Sequence, residues 1–134
     1  MRLNDGRVLP AFIGQALRGE DLTIFGDGSQ TRSFCYVDDL VEGFLLLWKK
    51  GDGMPINLGN DGEFTLVELA EVVRSVAGSG GNVRSTRPLP ENDPKQRKPD
   101  LTRARTILGW RPKVSLEQGL RPTLAYFREE LGRT

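Results

Sequence analysis

Arginine and lysine side chains are the groups in this 134-residue chain best suited to bind a ligand, and the ligand they suit is an anion. Arg32 follows Gly26-Asp27-Gly28-Ser29, which is typical of a tight turn, and precedes a short apolar stretch that predicts a strand. A guanidinium held between a turn and a strand could clamp a phosphate through two parallel hydrogen bonds. The alternative is a surface charge on an ordinary β-hairpin, which the spacing alone favours.

A second group of positive charges lies between Arg84 and Lys113, where nine Lys or Arg residues accompany three Asp or Glu residues. This net of +6 is balanced by −5 elsewhere, so the whole chain carries +1. The cluster predicts either a site for an anionic ligand or a solvated face. The near-neutral total predicts no attraction to nucleic acid or to a membrane surface.

Several kinds of chemistry are excluded by composition. The chain has no histidine and one cysteine, so it lacks a His-based metal site, a Ser-His or Cys-His pair and an internal disulfide. Cys35 lies in an apolar stretch and is interpreted as a small core residue. No apolar run reaches ~18 residues and no signal peptide is evident, so we expect a soluble, cytoplasmic protein with no membrane partner.

The elements that must position Arg32 follow from hydrophobic periodicity and from turn residues. Helices are predicted around Pro10–Leu17, from Val37 to about Trp48, from the Thr65-Glu68 capping box to Gly78, from Asp100 to Gly109, and after the Ser115-Gln118 capping box. Strands are predicted at Leu22–Phe25, Ser33–Val37, Pro55–Gly59 and Asn82–Arg87. These elements predict a single α/β domain over residues 1–134.

Three finer details are also predicted for the helices. Asp38 or Asp39 is placed to cap the helix that begins at Val37. Pro122 interrupts the last helix and predicts either a bend or a later start, because proline lacks the amide that a helix interior requires. Free amides are expected where the first helix begins, near Val8, and they offer either an anion site or an ordinary surface helix end.

Two segments carry a resemblance to a known family. GDGSQTRSFCYVDDLVEG, residues 26–43, and DPKQRKPD, residues 93–100, resemble UDP-glucuronate decarboxylases, which are extended short-chain dehydrogenases/reductases of the NAD-dependent epimerase/dehydratase family. The resemblance runs from Asn4 to about Glu129 and matches only the C-terminal part of a family member. It implies that the N-terminal Rossmann portion, with the NAD site and the catalytic Tyr and Lys, lies outside this sequence.

The residues agree with that implication. Gly26-Asp27-Gly28 is not a dinucleotide fingerprint, because position 31 is not glycine and a strand is predicted where a helix is required. The family's Tyr-x-x-x-Lys pair is also missing, since Leu40 follows Tyr36 and Glu130 follows Tyr126 at that spacing. The chain is therefore predicted to contain no catalytic residue and no metal site.

The resemblance implies that this chain binds a UDP-sugar. The substrate-binding residues carried over are Val8, Thr23, Phe25, Gln30, Arg32 and Arg97, with Lys95 and Arg87 as alternatives to Arg97. The complete enzyme is implied to be a homodimer that uses NAD to oxidise the sugar at C4, release CO₂ and reduce the product. A fragment of a related 4,6-dehydratase or 4-epimerase, and a stand-alone binding module without catalysis, are the two alternatives.

Overall fold

The computed structural model describes residues 2–3, 5–87 and 98–132. The helices are α1 (Val8–Leu17), α2 (Val37–Lys50), α3 (Leu66–Ala77), a π-helical turn (Ala104–Leu108) and α4 (Leu116–Gly132). The strands are β1 (Leu22–Phe25), β2 (Thr31–Arg32), β3 (Phe64–Thr65) and β4 (Val83–Arg87). Within the described residues, the predicted α/β architecture of helices with short strands is confirmed.

The four strands form two small sheets. β1 and β4 are parallel, with Leu22 opposite Val83, whereas β2 and β3 are antiparallel, with Arg32 opposite Phe64. The register of the parallel pair shifts after Ile24, so that Phe25 lies opposite Arg87. The carboxyl ends of β1 and β4 therefore lie side by side, and the chain leaves both strands at the same edge.

The main hydrophobic core lies between α1, α3, α4 and β1. Each helix contributes one apolar stripe, as the sequence periodicity predicts. The buried residues of this core are Leu9, Phe12, Ile13, Ala16, Leu22, Ile24, Leu66, Leu69, Ala70, Val73, Leu120, Leu124 and Phe127.

A second, smaller apolar cluster joins α2 to the segment that leads into α4. Its buried members are Leu101, Ala104, Leu108 and Trp110. Trp110 donates its indole N–H to the carbonyl of Asp39 at 2.9 Å, so the buried indole has its polar partner. A Cβ on Gly43 would lie 3.2 Å from the Trp110 ring and 3.0 Å from the Leu58 methyls, which shows how closely α2 packs here.

The predicted helix boundaries at two capping boxes are confirmed. Thr65 accepts the amide of Glu68 at 3.1 Å, and the Glu68 carboxylate accepts the amide of Thr65 at 3.2 Å. Ser115 and Gln118 make the equivalent pair at the start of α4. Gly78 ends α3 with φ of +68°, a conformation that glycine adopts without steric cost.

Two of the predicted strands are wrong. Ser33–Val37 is not a strand. The strand β2 ends just before it, at Arg32, because its partner β3 is only two residues long and turns directly into α3. Pro55–Gly59 is not a strand, because no strand of the described part of the chain lies beside it. Its apolar residues Ile56 and Leu58 instead pack against the second cluster.

The two predictions about helix ends are also corrected. Neither Asp38 nor Asp39 caps α2; the residue before the helix is Tyr36, without a side-chain cap. The Asp39 carboxylate is turned toward residues far along the chain, where it accepts the amides of Lys113 and Val114 at 2.9 Å each. The later start predicted from Pro122 is wrong, because the Ser115-Gln118 capping box begins the helix before the proline.

Candidate functional site

The candidate site is built around the free edge of β1. Leu22 donates its amide to the carbonyl of Asn82 at 2.8 Å, so the backbone groups of Leu22 and Ile24 face β4. Backbone groups alternate between the two edges of a strand, and those of Thr23 and Phe25 therefore face the opposite edge. Within the described residues no strand covers that edge.

Glutamine side chains occupy both ends of this edge. Gln15 of α1 accepts the amide of Thr23 at its Oε1, at 3.1 Å, and donates its Nε2 to the Thr23 hydroxyl at 2.8 Å. Gln30 donates its Nε2 to the carbonyl of Phe25 at 3.3 Å. Gln30 is only 3% exposed, and its backbone carbonyl accepts the amide of Leu66, so its position is fixed by α3.

Between the two glutamines lie the carbonyl of Thr23 and the amide of Phe25, here called the β1 slot. The order of groups along the edge is donor, acceptor, donor, acceptor, and the glutamines take the outer two. The slot therefore presents one acceptor followed by one donor, which is what a single residue of an added parallel strand would need. Phe25, which contributes the donor of the slot, is 40% exposed.

Arg32 lies on β2, after the turn that leaves β1. Its side chain is partly buried, and its Nη1 donates to the carbonyl of Thr31 at 2.7 Å, which holds the side chain against its own backbone. Ser29 donates its amide to the Asp27 carboxylate at 2.9 Å, as expected for a tight turn. The guanidinium is thus presented from an ordered turn rather than from a free loop.

The start of α1 bears on the predicted anion site through its backbone amides. No side chain caps the helix start, and Pro10 removes one of the first-turn donors, so the amides of Val8 and Leu9 are the donors that remain. The Val8 side chain packs against the main core. Asp5 accepts the amides of Arg2 and Arg7, and the hydrogen bond from Arg2 is the main reason that the pKa of Asp5 is lowered.

The structure brings some of the predicted binding residues close together, whereas others lie outside the described residues. Around the β1 slot, Gln30 donates to the Phe25 carbonyl, whereas the amide of Thr23 donates to Gln15. The backbone of Arg87 lies opposite Phe25, at the point where the segment after β4 begins. Arg97 and Lys95 lie outside the described residues, so their role stays a prediction.

Sequence reasoning missed Gln15. The residue lies in α1 among Phe12, Ile13 and Ala16, all of which are buried in the main core. An amide next to so apolar a face needs a hydrogen-bonding partner, and this is the signal that could have identified it. Gln30 was predicted to contact substrate, but its buried amide already has a structural partner in Phe25.

A largely apolar cavity of about 680 Å³ lies between the start of α1, the segment before α2 and α4. Cys35 lines it, and burial, with a smaller contribution from the negative charge of Asp39, raises the pKa of the Cys35 thiol. Such a thiol is a poor nucleophile, which agrees with its interpretation as a packing residue.

Two kinds of site are not found in the part of the chain that the structure describes. Its His, Cys, Asp and Glu side chains form no group of three that could hold a metal ion. None of its helices is both long enough and apolar enough to cross a bilayer.

Comparison with known sequences identifies proteins that are similar to this chain. The profile of the NAD dependent epimerase/dehydratase family matches residues 2–59. UDP-glucuronic acid decarboxylase 5 of Arabidopsis thaliana is 51% identical over 132 residues, which are 98% of this chain and 38% of that protein. The resemblance to the epimerase/dehydratase family is confirmed. The chain spans little more than a third of the length of this relative.

Solved structures of the epimerase/dehydratase family share the fold. UDP-glucose 4-epimerase of Thermotoga maritima, solved with UDP-glucose, has a TM-score of 0.86 and 38% identity over 93% of this chain and 40% of that one. UDP-glucuronic acid 4-epimerase of Bacillus cereus, solved with UDP-glucuronic acid and NAD, has a TM-score of 0.82 and 30% identity over 92% of this chain and 40% of that one. The fold is thus that of part of an extended short-chain dehydrogenase/reductase.

NAD is the cofactor of the family, but the described residues do not form its dinucleotide cradle. Gly28, in the Gly26-Asp27-Gly28 stretch, has φ of +74°, and a Cβ there would meet Val67 at 2.5 Å and Ile24 at 2.7 Å. This glycine is required by close packing against the chain's own core rather than by a phosphate. The strand β2 follows it, where a dinucleotide site would need a helix.

Proposed function

We propose that this chain is the UDP-sugar-binding part of a UDP-glucuronate decarboxylase, an enzyme that converts UDP-glucuronate into UDP-xylose and CO₂ with bound NAD. The identity of 51% to a protein of that name supports the decarboxylase over the 4-epimerases, whose identities are 38% and 30%. The UDP-sugars in the two epimerase structures support the ligand class.

The β1 slot is the observation that carries this proposal. Uracil presents an imide N–H next to a carbonyl oxygen, so its edge can donate to the Thr23 carbonyl and accept from the Phe25 amide. The exposed Phe25 ring supplies apolar surface next to the base. Arg32 and the amides at the start of α1 would then receive the diphosphate, since a guanidinium and free helix-start amides both favour an anion.

In this proposal the chain grips the nucleotide and leaves the redox chemistry to residues outside the sequence. The chain has no Tyr-x-x-x-Lys pair, and the turn at Gly26-Asp27-Gly28 is not a dinucleotide cradle. We therefore expect the isolated chain to release no CO₂ from UDP-glucuronate, even with excess NAD. A homodimeric parent enzyme and a cytoplasmic location remain predictions.

Calorimetric titration with UDP tests the proposal directly. Arg32→Ala removes a charge-assisted contact worth about 1.5–3 kcal/mol, which corresponds to roughly a 10- to 150-fold loss of affinity. Arg32→Lys should restore part of the affinity, because an ammonium keeps the charge without the planar fork.

Arg111→Ala is the matched control, because Arg111 is an exposed arginine in the loop before α4. Its affinity for UDP should equal that of the wild type. If Arg32→Ala binds UDP within twofold of Arg111→Ala, Arg32 does not contact the diphosphate and the hairpin surface charge is the better interpretation.

A further inference from the structure

We propose that Gln15 and Gln30 are positioning residues that fix which base the β1 edge accepts. The inference rests on the proposed function, because it assumes that a nucleotide base lies in the β1 slot. It goes beyond that function by assigning base selectivity to two side chains that need not touch the base themselves.

The argument starts from the order of groups along the free edge of β1. The edge offers three neighbouring pairs of hydrogen-bonding groups, and the groups stand in the order Thr23 N–H, Thr23 C=O, Phe25 N–H, Phe25 C=O. The inner pair reads acceptor then donor, whereas each outer pair, made by the two groups of one residue, reads donor then acceptor. A base whose orientation is fixed by its diphosphate would distinguish these two orders.

Uracil and cytosine also differ in the order of their hydrogen-bond donor and acceptor. In uracil N3 is a donor beside a carbonyl acceptor, whereas in cytosine N3 is an acceptor beside an amino donor. The inner pair therefore suits uracil, and either outer pair suits cytosine held in the same orientation. An edge with all four groups free would be able to accept both bases.

The glutamines remove both outer pairs. Gln15 accepts the Thr23 N–H at 3.1 Å, and Gln30 donates to the Phe25 C=O at 3.3 Å, so each outer pair has lost one member. The second hydrogen bond of Gln15, to the Thr23 hydroxyl at 2.8 Å, fixes the orientation of its amide group. Gln30 is held by burial and by its own backbone contact with Leu66.

Titration of the 134-residue chain with UDP, CDP and pyrophosphate tests this inference. Gln15→Met and Gln30→Met should each reduce the preference for UDP over CDP by about tenfold, the equivalent of one net hydrogen bond. Affinity for pyrophosphate should stay unchanged, because it depends on Arg32 and the α1 start. A merely structural loss would instead weaken all three ligands together.

Gln118→Met is the matched control, because Gln118 also accepts a backbone amide but lies at the start of α4. It should leave the preference for UDP unchanged. Gln15→Glu provides a rescue, because a carboxylate can accept both the Thr23 amide and the Thr23 hydroxyl. Gln30→Glu should not rescue, because a carboxylate cannot donate to the Phe25 carbonyl.

Amide hydrogen exchange supplies a readout that needs no ligand. In Gln15→Met the Thr23 amide should exchange faster, while the Ile24 amide, which faces β4, stays protected. Unchanged exchange at Thr23, or a UDP preference that survives both Met substitutions, would overturn the role of the glutamines alone. A wild-type chain that binds UDP and CDP equally would overturn the proposed function instead.

Discussion

The apolar faces of α1 and α2 end up in opposite environments. In α1, Phe12 and Ile13 are at most 1% exposed, because α3, α4 and β1 cover that face. In α2, Phe44 is 55% exposed and Trp48 is 90% exposed, although their spacing along the helix is equally regular. Periodicity therefore identifies an apolar face but not what covers it, and the described part of this chain covers only one of the two faces.

The largest difference between the two faces should appear in stability. Phe12→Ala removes a fully buried ring and should lower the free energy of unfolding by about 3–5 kcal/mol. Phe44→Ala makes the same chemical change on the exposed face and should stay within about 0.5 kcal/mol of wild type. Urea titration followed by circular dichroism measures both. Equal losses would mean that α2 is covered in solution, by self-association for example.

The contact between α2 and the segment before α4 should give the next largest effect on stability. Asp39 is 4% exposed, and its Oδ2 accepts two backbone amides from the segment before α4. Asp39→Ala leaves both donors without their acceptor and should cost about 2–3 kcal/mol. Asp39→Asn should cost less, because one amide oxygen can still accept both. Asp38→Ala, at the exposed neighbouring acid, serves as the control in the same denaturation experiment.

A smaller effect is expected on association. The exposed face of α2 should bind a fluorescent hydrophobic dye and promote concentration-dependent association of the isolated chain. Changing both Phe44 and Trp48 to Ser should reduce both signals, whereas Met54→Ser, in the following loop, should not. Analytical ultracentrifugation over a range of concentrations measures the association. A wild-type chain that stays monomeric and binds no dye would contradict this picture.

The smallest predicted effect concerns Cys35, next to the start of α2. Burial raises the pKa of its thiol, and the charge of Asp39 raises it further, so less thiolate is present at a given pH than in the unfolded chain. Alkylation by iodoacetamide at pH 8 should be slower in the folded than in the urea-unfolded chain. Asp39→Asn should make the folded rate faster. Equal rates for the folded and unfolded chains would show that the thiol is not shielded.

The raised pKa of Cys35 makes the stability of the folded chain depend on pH, and the direction of this dependence is definite. A thiol whose pKa is raised by folding keeps its proton longer in the folded state than in the unfolded state. The stability associated with Cys35 is therefore complete below the thiol pKa of the unfolded chain. It is lost as the pH rises from that value through the raised pKa of the folded chain.

Local features of the fold could be predicted from the sequence, whereas long-range partners could not. The Thr65-Glu68 box and Gly78 define α3 correctly, because capping and helix termination depend on residues within one turn. Pro55–Gly59 was predicted as a strand from its composition, but a strand exists only beside another strand. The composition of five residues does not reveal whether one is there.

The candidate site shows the same limit. Arg32 and the start of α1 are recognisable because a turn and a helix start are local patterns. The role of Asp39 is not, because its partners lie more than 70 residues further along the chain. Gln15 and Thr23 are only eight residues apart, yet their contact depends on how α1 folds back over β1.

The parallel pairing of β1 with β4 also has a consequence for biosynthesis. Leu22 pairs with Val83, so β1 leaves the ribosome about 60 residues before its partner strand. At translation rates of about 5–20 residues per second, that interval is roughly 3–12 seconds. During it, Leu22 and Ile24, which are buried in the finished fold, have no β4 beside them. The nascent chain therefore passes through a period in which a chaperone has an apolar strand to bind.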